Sequence, residues 1–414
     1  MPIRGSISIP GDKSISHRSL MIASLINGKS IIHNLSTGMD VNSTKNCLAA
    51  CGTNFSNQND SVLVGGGFFK SPETPLDCGN SGTSARLLSG LLVGKKIDVQ
   101  LIGDESLTSR PMDRIIAPLK KMGAKIESSN GRLPINISSS ELKSINYEIP
   151  IASAQVKSCL ILAALDCNDK TILKEQTKTR DHTEIMLQKL GVNIKLDSSI
   201  VIEPLKQNLE PFSINIPGDP SSAAFFASSA ALIPNSDLTI KNLLANSTRI
   251  AFFDVLKKMG AIVSWGNMRK EMGEIIGDVN IKSHPLSGIH LSGEVIPSII
   301  DEIPIIAVLA TQADSPTIIR NAEELRHKES DRIDAICYNI KKMGIDIIEM
   351  KDGFIINPEK KLVNAEIKTF GDHRIAMAFS IAELLTSSNN VFDDLTCIDI
   401  SFPNFFNILK TILK

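Results

Sequence analysis

The stretch Val255-Leu256-Lys257-Lys258-Met259-Gly260-Ala261-Ile262-Val263 carries an amphipathic segment into a glycine and then directly into a β-prone segment. Four other stretches share this order: Cys47-Leu48-Ala49-Ala50-Cys51-Gly52-Thr53-Asn54-Phe55, Pro118-Leu119-Lys120-Lys121-Met122-Gly123-Ala124-Lys125-Ile126, MLQKLGVNI at 186–194 and NIKKMGIDI at 339–347. A glycine just past a helix end adopts the left-handed conformation without a Cβ penalty, which lets a strand begin at once. A Leu or Met in front of it supplies the buried edge of the last helical turn. The five glycines, Gly52, Gly123, Gly191, Gly260 and Gly344, are 71, 68, 69 and 84 residues apart. Junctions arising independently would not keep near-even intervals, so the spacing predicts an α/β unit repeated along the chain.

A second echo divides the chain. Ile9-Pro10-Gly11-Asp12-Lys13-Ser14 recurs as Ile216-Pro217-Gly218-Asp219-Pro220-Ser221, 207 residues later and close to three repeat lengths. Pro and Gly mark a turn in each copy. Asp and Ser are suited to cap the helix-like segments that follow, HRSLMIASLI and AAFFASSAALI. The pair predicts two halves of about three units each, with the chain crossing between them near residues 12 and 220.

The 414 residues are enough for two cores, since a single core rarely grows past about 300 residues. Hydrophobic residues make up 42% and charged residues 21%, the mixture of an ordinary soluble globular protein. Lys and Arg number 44 against 45 Asp and Glu, a net charge of −1, so the broad basic field used in nucleic-acid binding is absent. The seven cysteines lack the density of a disulfide scaffold and the paired spacing of a zinc site. Cys47 and Cys51 are expected to be buried packing residues. No 18-residue apolar run suits a membrane span, and the opening MPIRGSISIPGDKS has no apolar stretch suited to secretion. Reduced cytoplasm is the expected compartment.

Polar clusters punctuate both halves. Lys13-Ser14-Ile15-Ser16-His17-Arg18 follows a Pro-Gly turn at the mouth of a helix, where N–H groups lacking intrahelical partners bind anions. Gly79-Asn80-Ser81-Gly82-Thr83-Ser84-Ala85-Arg86 leads into the apolar LLSGLLVG. Its small residues let a ligand approach the backbone, and Thr83 or Ser84 is suited to cap the helix. It lacks the Gly-Lys-Ser/Thr ending of a Walker loop, and no early G-x-G-x-x-G marks a dinucleotide fold. Asp104-Glu105-Ser106-Leu107-Thr108-Ser109-Arg110-Pro111 joins an Arg to a rigid bend. Ser153-Ala154-Gln155-Val156-Lys157-Ser158 and Thr179-Arg180-Asp181-His182-Thr183-Glu184 each open a helix. The second half adds Asp301-Glu302, Arg326-His327-Lys328-Glu329-Ser330-Asp331-Arg332 and Gly371-Asp372-His373-Arg374. Taken alone, the 326–332 run also suits a helix-capping salt-bridge network.

PGDKSISHR, GNSGTSAR, SLTSRPMDR, SAQVKS, TRDHTE, ELRHKESDR and GDHRIAMAF occur in the order of the 5-enolpyruvylshikimate-3-phosphate synthase family, which the chain resembles over nearly its full length. The resemblance implies an α/β, two-domain enolpyruvyl transferase fold of six repeated α/β units, three per domain, in an inverse α/β barrel-like form. One domain would span 13–219 and bind shikimate 3-phosphate. The other would comprise 1–12 plus 220–414, with the substrates in the cleft between them. The implied reaction moves the enolpyruvyl group of phosphoenolpyruvate to the 5-hydroxyl of shikimate 3-phosphate and releases phosphate. It implies neither cofactor nor metal, a monomer, and glyphosate as a competitive inhibitor in the phosphoenolpyruvate site, where Gly82 leaves room.

Two phosphates and two carboxylates in one cleft demand several Lys and Arg, and Arg suits both anions in bidentate fashion. By resemblance Lys13, Arg110, Gln155, Lys328, Arg332 and Arg374 handle phosphoenolpyruvate. Ser14 and Arg18 belong with the carboxylate of shikimate 3-phosphate, Ser153 and Arg180 lie toward its phosphate, and Gln155 also contacts it. Asn80, Gly82, Thr83, Ala154 and Asp301 complete the substrate contacts. The implied catalytic set is Asp301, Glu329, Lys328 and Lys13. Glu329 protonates C3 of phosphoenolpyruvate, while Asp301 takes or orients the hydroxyl proton beside Lys328. Ala154, Arg180 and Glu324 depart from one branch of the family, and Ile400 stands where a Lys often precedes Thr-Phe-Pro. The related UDP-N-acetylglucosamine enolpyruvyl transferase carries a reactive Cys five residues before its Arg-Pro motif, where this chain has Glu105. A noncatalytic small-anion binder of the same fold is the other alternative, and retention of both Asp301 and Glu329 counts against it.

Overall fold

A computed structural model describes residues 1–358 and 361–413. The chain forms two compact bodies. The N-terminal body comprises Gly11–Ile216 and Lys270–Glu274, and the C-terminal body comprises Met1–Pro10, Pro217–Arg269 and Ile275–Lys414. The main crossings therefore fall between Pro10 and Gly11 and between Ile216 and Pro217.

Each full repeat follows one plan. A short strand leads into an inner helix, a second strand parallel to the first, an outer helix, and a hairpin that folds back beside the second strand. In the N-terminal body Leu76–Asp77 pairs in parallel with Val99–Ile102, Arg132–Ser138 lies antiparallel to that, and Lys125–Ser129 forms the edge. Asn146–Ile149, Thr171–Glu175, Ile200–Ile202 and Ile194–Leu196 repeat the arrangement. The remaining sheet takes its parallel strand from the far end of the body, Ser213–Asn215 beside Gly28–His33, followed by Ser61–Gly66 and Asn54–Gln58.

The C-terminal body uses the same device, with Arg4–Ser8 beside Asp237–Leu244, then Glu274–Lys282 and Ile262–Glu271. His290–Leu291, Thr317–Ile319, Gly353–Asn357 and Asp346–Met350 make its second sheet. The last unit is abbreviated: Glu366–Ile367 pairs with Val391–Phe392, and among the described residues the helix Phe405–Ile412 follows instead of a hairpin. The repeated α/β architecture expected from the sequence is present, with five four-stranded sheets and one of two strands among the described residues. Among the described residues the sixth unit has no helix-to-hairpin junction, which is why the sequence carries only five junction glycines.

All five glycines have positive φ, from 87° to 114°. At Gly260 the glycine N–H bonds Lys257 O at 3.0 Å and the next N–H, of Ala261, bonds Leu256 O at 3.2 Å. Gly52, Gly123, Gly191 and Gly344 repeat this pair of bonds. The bonds satisfy helix carbonyls that would otherwise be left without partners. Leu48, Leu119, Leu187, Leu256 and Ile340, which accept the second bond, are fully buried. The residues that close the turn therefore also anchor it in the core. Met122, Met259 and Met343 supply the buried edge before the glycine, Leu190 is half-buried, and Cys51 fills this position in the first unit.

The inner helices are Lys13–Ser24, Gly82–Leu92 and Ala154–Ala164 in one body and Pro220–Leu232, Ile303–Ala310 and His373–Ala382 in the other. A helix enclosed by protein is buried on every face, and every residue of Ile303–Ala310 and His373–Ala382 is buried. Gly82–Leu92 approaches Ala154–Ala164 so closely at Gly90 that any side chain there would collide with the Cys159 backbone. Phe225 and Phe226 pack edge-on against Phe405 and Phe402 at 6.0 and 5.9 Å. The seven cysteines are buried free thiols, Cys47 and Cys51 among them. Among the described residues no helix is long and apolar enough to cross a membrane.

Gly191 and Gly260 separate the backbone cost of this junction from its packing cost. A Cβ on Gly191 meets nothing within 4 Å, whereas one on Gly260 lies 2.6 Å from Pro285 O. Gly191→Ala is expected to cost about 1–2 kcal/mol from φ alone. Gly260→Ala adds about 1–3 kcal/mol of overpacking. Urea unfolding of the two variants measures the difference, and equal losses would show that the Pro285 contact relaxes freely.

Candidate active site

In the N-terminal body, side-chain caps start the three inner helices. Asp12 accepts from Ile15 N at 2.8 Å, Ser81 from Ser84 N at 3.1 Å and Ser153 from Val156 N at 3.4 Å. The second cap is Ser81 and not Thr83 or Ser84, because the helix already begins at Gly82. Lys13 Nζ lies 3.0 Å from Asp40 Oδ2. Arg18 is buried, and its guanidinium donates to Thr183 Oγ1 at 2.7 Å, Ser158 Oγ at 2.6 Å and the Ser14 carbonyl at 2.9 Å.

A second knot of contacts joins the next two helices. Arg86 Nη1 donates to Gln155 Oε1 at 2.8 Å, and Gln155 Nε2 donates to Thr83 Oγ1 at 3.0 Å. Arg110 Nη2 donates to Asn80 Oδ1 at 2.7 Å and Ser106 Oγ at 3.0 Å, while Asn80 Nδ2 donates to Asp104 Oδ2 at 2.7 Å. The buried Arg110 Nε has no partner among the described residues. A Cβ on Gly82 would lie 2.6 Å from Arg86 Nη1 and 3.7 Å from Arg110 Nη1. Ala154 is half-buried in the first turn of its helix, and Arg180 is half-buried just ahead of the helix His182–Lys189.

His17 links these helices without contributing charge. Its Nδ1 shares a 2.7 Å hydrogen bond with Thr44 Oγ1, which lies 2.6 Å from Ser84 Oγ. Ser84 Oγ in turn donates to the capping Ser81 Oγ at 2.8 Å. Complete burial pushes His17 from the usual 6.5 down to about 3, so the ring is neutral at physiological pH.

The C-terminal body brings Asp301, Lys328, Glu329, Arg332 and Arg374 together. Lys328 Nζ and Arg332 Nη1 lie 3.4 and 3.5 Å from Asp301 Oδ1. Arg332 Nη2 is 2.7 Å from Glu329 Oε2, and its Nε is 2.7 Å from Asp372 Oδ2. Arg374 Nη1 donates to the Asp301 carbonyl at 2.9 Å and has Glu302 Oε1 3.8 Å away. Arg332 is only 1% exposed. Burial opposes its charge, yet Asp372, Glu329 and Asp301 hold it more firmly protonated than usual. Burial alone would also raise Asp372, but the Arg332 guanidinium holds its carboxyl below the usual range.

The 326–332 run serves two purposes. Arg326 pairs with Asp331 at 2.8 Å and Glu349 at 3.0 Å and donates to the Lys351 and Met350 carbonyls, a framework role. Lys328 and Arg332 turn to Asp301 instead, and Glu329 pairs with Arg332. Asp372 escaped sequence reasoning because an acid ahead of two basic residues looks like a helix cap. It is a cap, accepting from Arg374 N at 2.9 Å, and it is also the buried partner of Arg332. Arg86, Ser158 and Thr183 sat in quoted motifs but were given no role, and Asp40 was not singled out. Ile400, half-buried at the end of a 3₁₀ turn over Thr396–Ile400, contributes no cation. Chemically, one body offers cations and helix N-termini to anions, and the other offers two carboxylates clamped by cations.

The profile of the family described as EPSP synthase (3-phosphoshikimate 1-carboxyvinyltransferase) matches residues 1–409. A relative named 3-phosphoshikimate 1-carboxyvinyltransferase from Thermodesulfovibrio yellowstonii is 45% identical, over 100% of this chain and 98% of its own. One of the same name from Oceanobacillus iheyensis is 43% identical, over 100% and 97%. Among solved structures, EPSP synthase from Acinetobacter baumannii is similar with a TM-score of 0.90 at 38% identity, covering 99% of this chain and 96% of that one. The enolpyruvyl transferase NikO from Streptomyces tendae shares the fold at 15% identity, with a TM-score of 0.80 over 99% and 95% of the two chains.

The buried neutral His17 makes the N-terminal body sensitive to acid. Its folded value lies below its unfolded one, so the unfolded chain binds the extra proton. The associated stability is fully present above about pH 6.5 and is lost as pH falls toward 3. Between pH 7 and pH 5 this loss amounts to about 2 kcal/mol. His17→Asn removes the titrating group, so its stability difference between those two pH values is expected to shrink by that amount. Urea unfolding at both pH values checks this, and an unchanged difference would mean that other groups set the acid limit.

Proposed function

We infer how this site works from the premise that the chain belongs to the EPSP synthase family. It is a transferase that moves the enolpyruvyl group of phosphoenolpyruvate to the 5-hydroxyl of shikimate 3-phosphate, releasing phosphate, in the shikimate pathway of aromatic amino-acid biosynthesis. The division of labour among its residues is our proposal, and a contrast in charge balance supports it. In the C-terminal body Lys328, Arg332 and Arg374 stand beside four carboxylates, those of Asp301, Glu302, Glu329 and Asp372. In the N-terminal body Arg110 is held by the Asn80 amide oxygen and the Ser106 hydroxyl, neutral groups that leave its charge available to an anion.

In this reading Ser14 and Arg18 take the carboxylate of shikimate 3-phosphate, and Ser153, Ala154 and Arg180 surround its phosphate. Gln155 contacts both substrates. Lys13, Asn80, Gly82, Thr83 and Arg110 receive phosphoenolpyruvate, to which Lys328, Arg332 and Arg374 add their contacts. Asp301 takes or orients the proton of the 5-hydroxyl as it attacks C2 of phosphoenolpyruvate, with Lys328 and Lys13 beside the developing charge. Glu329 protonates C3. The tetrahedral adduct then loses a C3 proton and phosphate to give the product. Both the 13–219 domain and the domain of 1–12 plus 220–414 serve this one reaction. We also assign the enzyme to the cytoplasm as a monomer, with glyphosate competing for the phosphoenolpyruvate site.

Glu329→Gln preserves shape and removes the proton, so the single-turnover rate is expected to fall by about 10²-fold or more while shikimate 3-phosphate affinity holds. Rapid-quench kinetics beside calorimetric binding tests this, and a near-normal rate would remove Glu329 from the role of acid. Phosphate release with shikimate 3-phosphate but not with UDP-N-acetylglucosamine is the matching test of acceptor choice.

Gly82 carries the prediction for glyphosate. The methyl of Gly82→Ala would press toward Arg86 Nη1 and Arg110 Nη1. It should weaken glyphosate more than phosphoenolpyruvate, by about 1–3 kcal/mol of overpacking. Inhibition constants measured at several phosphoenolpyruvate concentrations, for parent and variant, report the difference. Equal constants in two active proteins would show that Gly82 does not set the inhibitor's clearance.

A further inference from the structure

Lys157 is a buried ammonium with no part in the chemistry just described. It sits in the third inner helix and is 1% exposed. Its Nζ meets Glu184 Oε1 at 2.9 Å, Glu175 Oε1 at 3.1 Å and the Thr179 carbonyl at 3.3 Å. The other oxygen of Glu175 accepts from the Thr179 backbone N–H at 3.1 Å and from its Oγ1 at 2.8 Å. Thr179 is thus gripped at its N–H, its hydroxyl and its carbonyl by one ion pair, and the next residue is Arg180. The same ammonium touches the neighbourhood of Arg18 twice over. Ser158 follows Lys157 and Thr183 precedes Glu184, and both hold the Arg18 guanidinium.

Burying an ammonium and two carboxylates gives no net stability over apolar residues of similar size. What it does give is a fixed position for the groups hydrogen-bonded around it. Glu184 shows the strain of the arrangement: burial pushes its carboxyl up despite the adjacent Lys157, and its Oε2 has no partner among the described residues. A segment from 176 to 181 without this grip is a polar loop with no strand or helix to set its backbone.

We propose that Lys157 is a positioning residue for the acceptor site, fixing Arg180 toward the phosphate of shikimate 3-phosphate by locking Thr179 through Glu175. This rests on the reading of Arg180 given above, and the experiment separates the two. Lys157→Met alone leaves the fully buried Glu184 without a cation, so the informative protein is Lys157→Met/Glu184→Gln, which removes both fully buried charges, keeps their shapes and leaves only the half-buried Glu175. Steady-state constants for each substrate and calorimetric binding of shikimate 3-phosphate are measured for it, for Arg180→Ala and for the triple combination.

The double variant is expected to raise the KM and Kd for shikimate 3-phosphate by about tenfold, with kcat at saturation and the KM for phosphoenolpyruvate within about threefold of the parent. Adding Arg180→Ala to it should cost less than Arg180→Ala costs alone, since both act on the same contact. Normal acceptor affinity in the double variant, with Arg180→Ala impaired, overturns the proposal. So does an equal loss for both substrates, the mark of a merely structural role. Unimpaired acceptor binding in Arg180→Ala overturns the reading of Arg180 itself, and the positioning role with it.

Discussion

A helix enclosed by protein has no solvated face, so each polar side chain along it must find a protein partner, and its ends, where backbone N–H groups lack partners, gather the chemistry. The inner helices of both bodies obey this constraint, and the candidate site follows from it. Asp12, Ser81, Ser153, Asp219 and Asp372 each cap such a helix with a side-chain oxygen. Ile303–Ala310 has no side-chain cap but carries Pro304 in its first turn, which removes one N–H that would need a partner. The first turns then carry Lys13, Gly82, Thr83, Ala154, Gln155 and Arg374. Backbone donors left over at these helix starts favour anionic ligands, which suits substrates made of phosphates and carboxylates.

The second constraint is that a buried charge needs a partner, and the nature of the partner decides what the charge does. Arg110 is held by the Asn80 amide oxygen and the Ser106 hydroxyl, which orient the guanidinium without cancelling it. Arg332 is surrounded by carboxylates, which cancel its charge and are held in place by it. The first arrangement suits binding of an anion, and the second holds Asp301 and Glu329 against one guanidinium. Lys157 is also paired with carboxylates, and it grips a loop at the Thr179 carbonyl.

Much of this was legible before any coordinates. A left-handed glycine is a local demand of the backbone, so five of them at near-even spacing marked five helix-to-strand junctions, all of which exist. The spacing was blind to the sixth unit because that unit lacks the junction among the described residues. The 326–332 run could not be divided from sequence, since Arg326 and Arg332 are alike in type and differ only in their neighbours. The cap of the Gly82 helix was misplaced by two or three residues for a related reason: Ser81, Thr83 and Ser84 are all chemically able to cap, and only the path of the chain selects one.

The sequence by itself determined the repeated unit, the two echoing halves and the kinds of chemistry present, because turn glycines, apolar runs and side-chain types are properties of short segments. Tertiary structure alone decided which strands complete which sheet. Arg4–Ser8 pairs with Asp237–Leu244 and Ser213–Asn215 with Gly28–His33, partners that no spacing rule connects. It also decided which charge meets which. Arg332 finds Asp372 across 40 residues and Arg18 finds Thr183 across 165. Coulombic and hydrogen-bond compensation act through space over a few ångströms, whatever the distance along the chain, and a linear sequence does not encode that proximity in any local pattern.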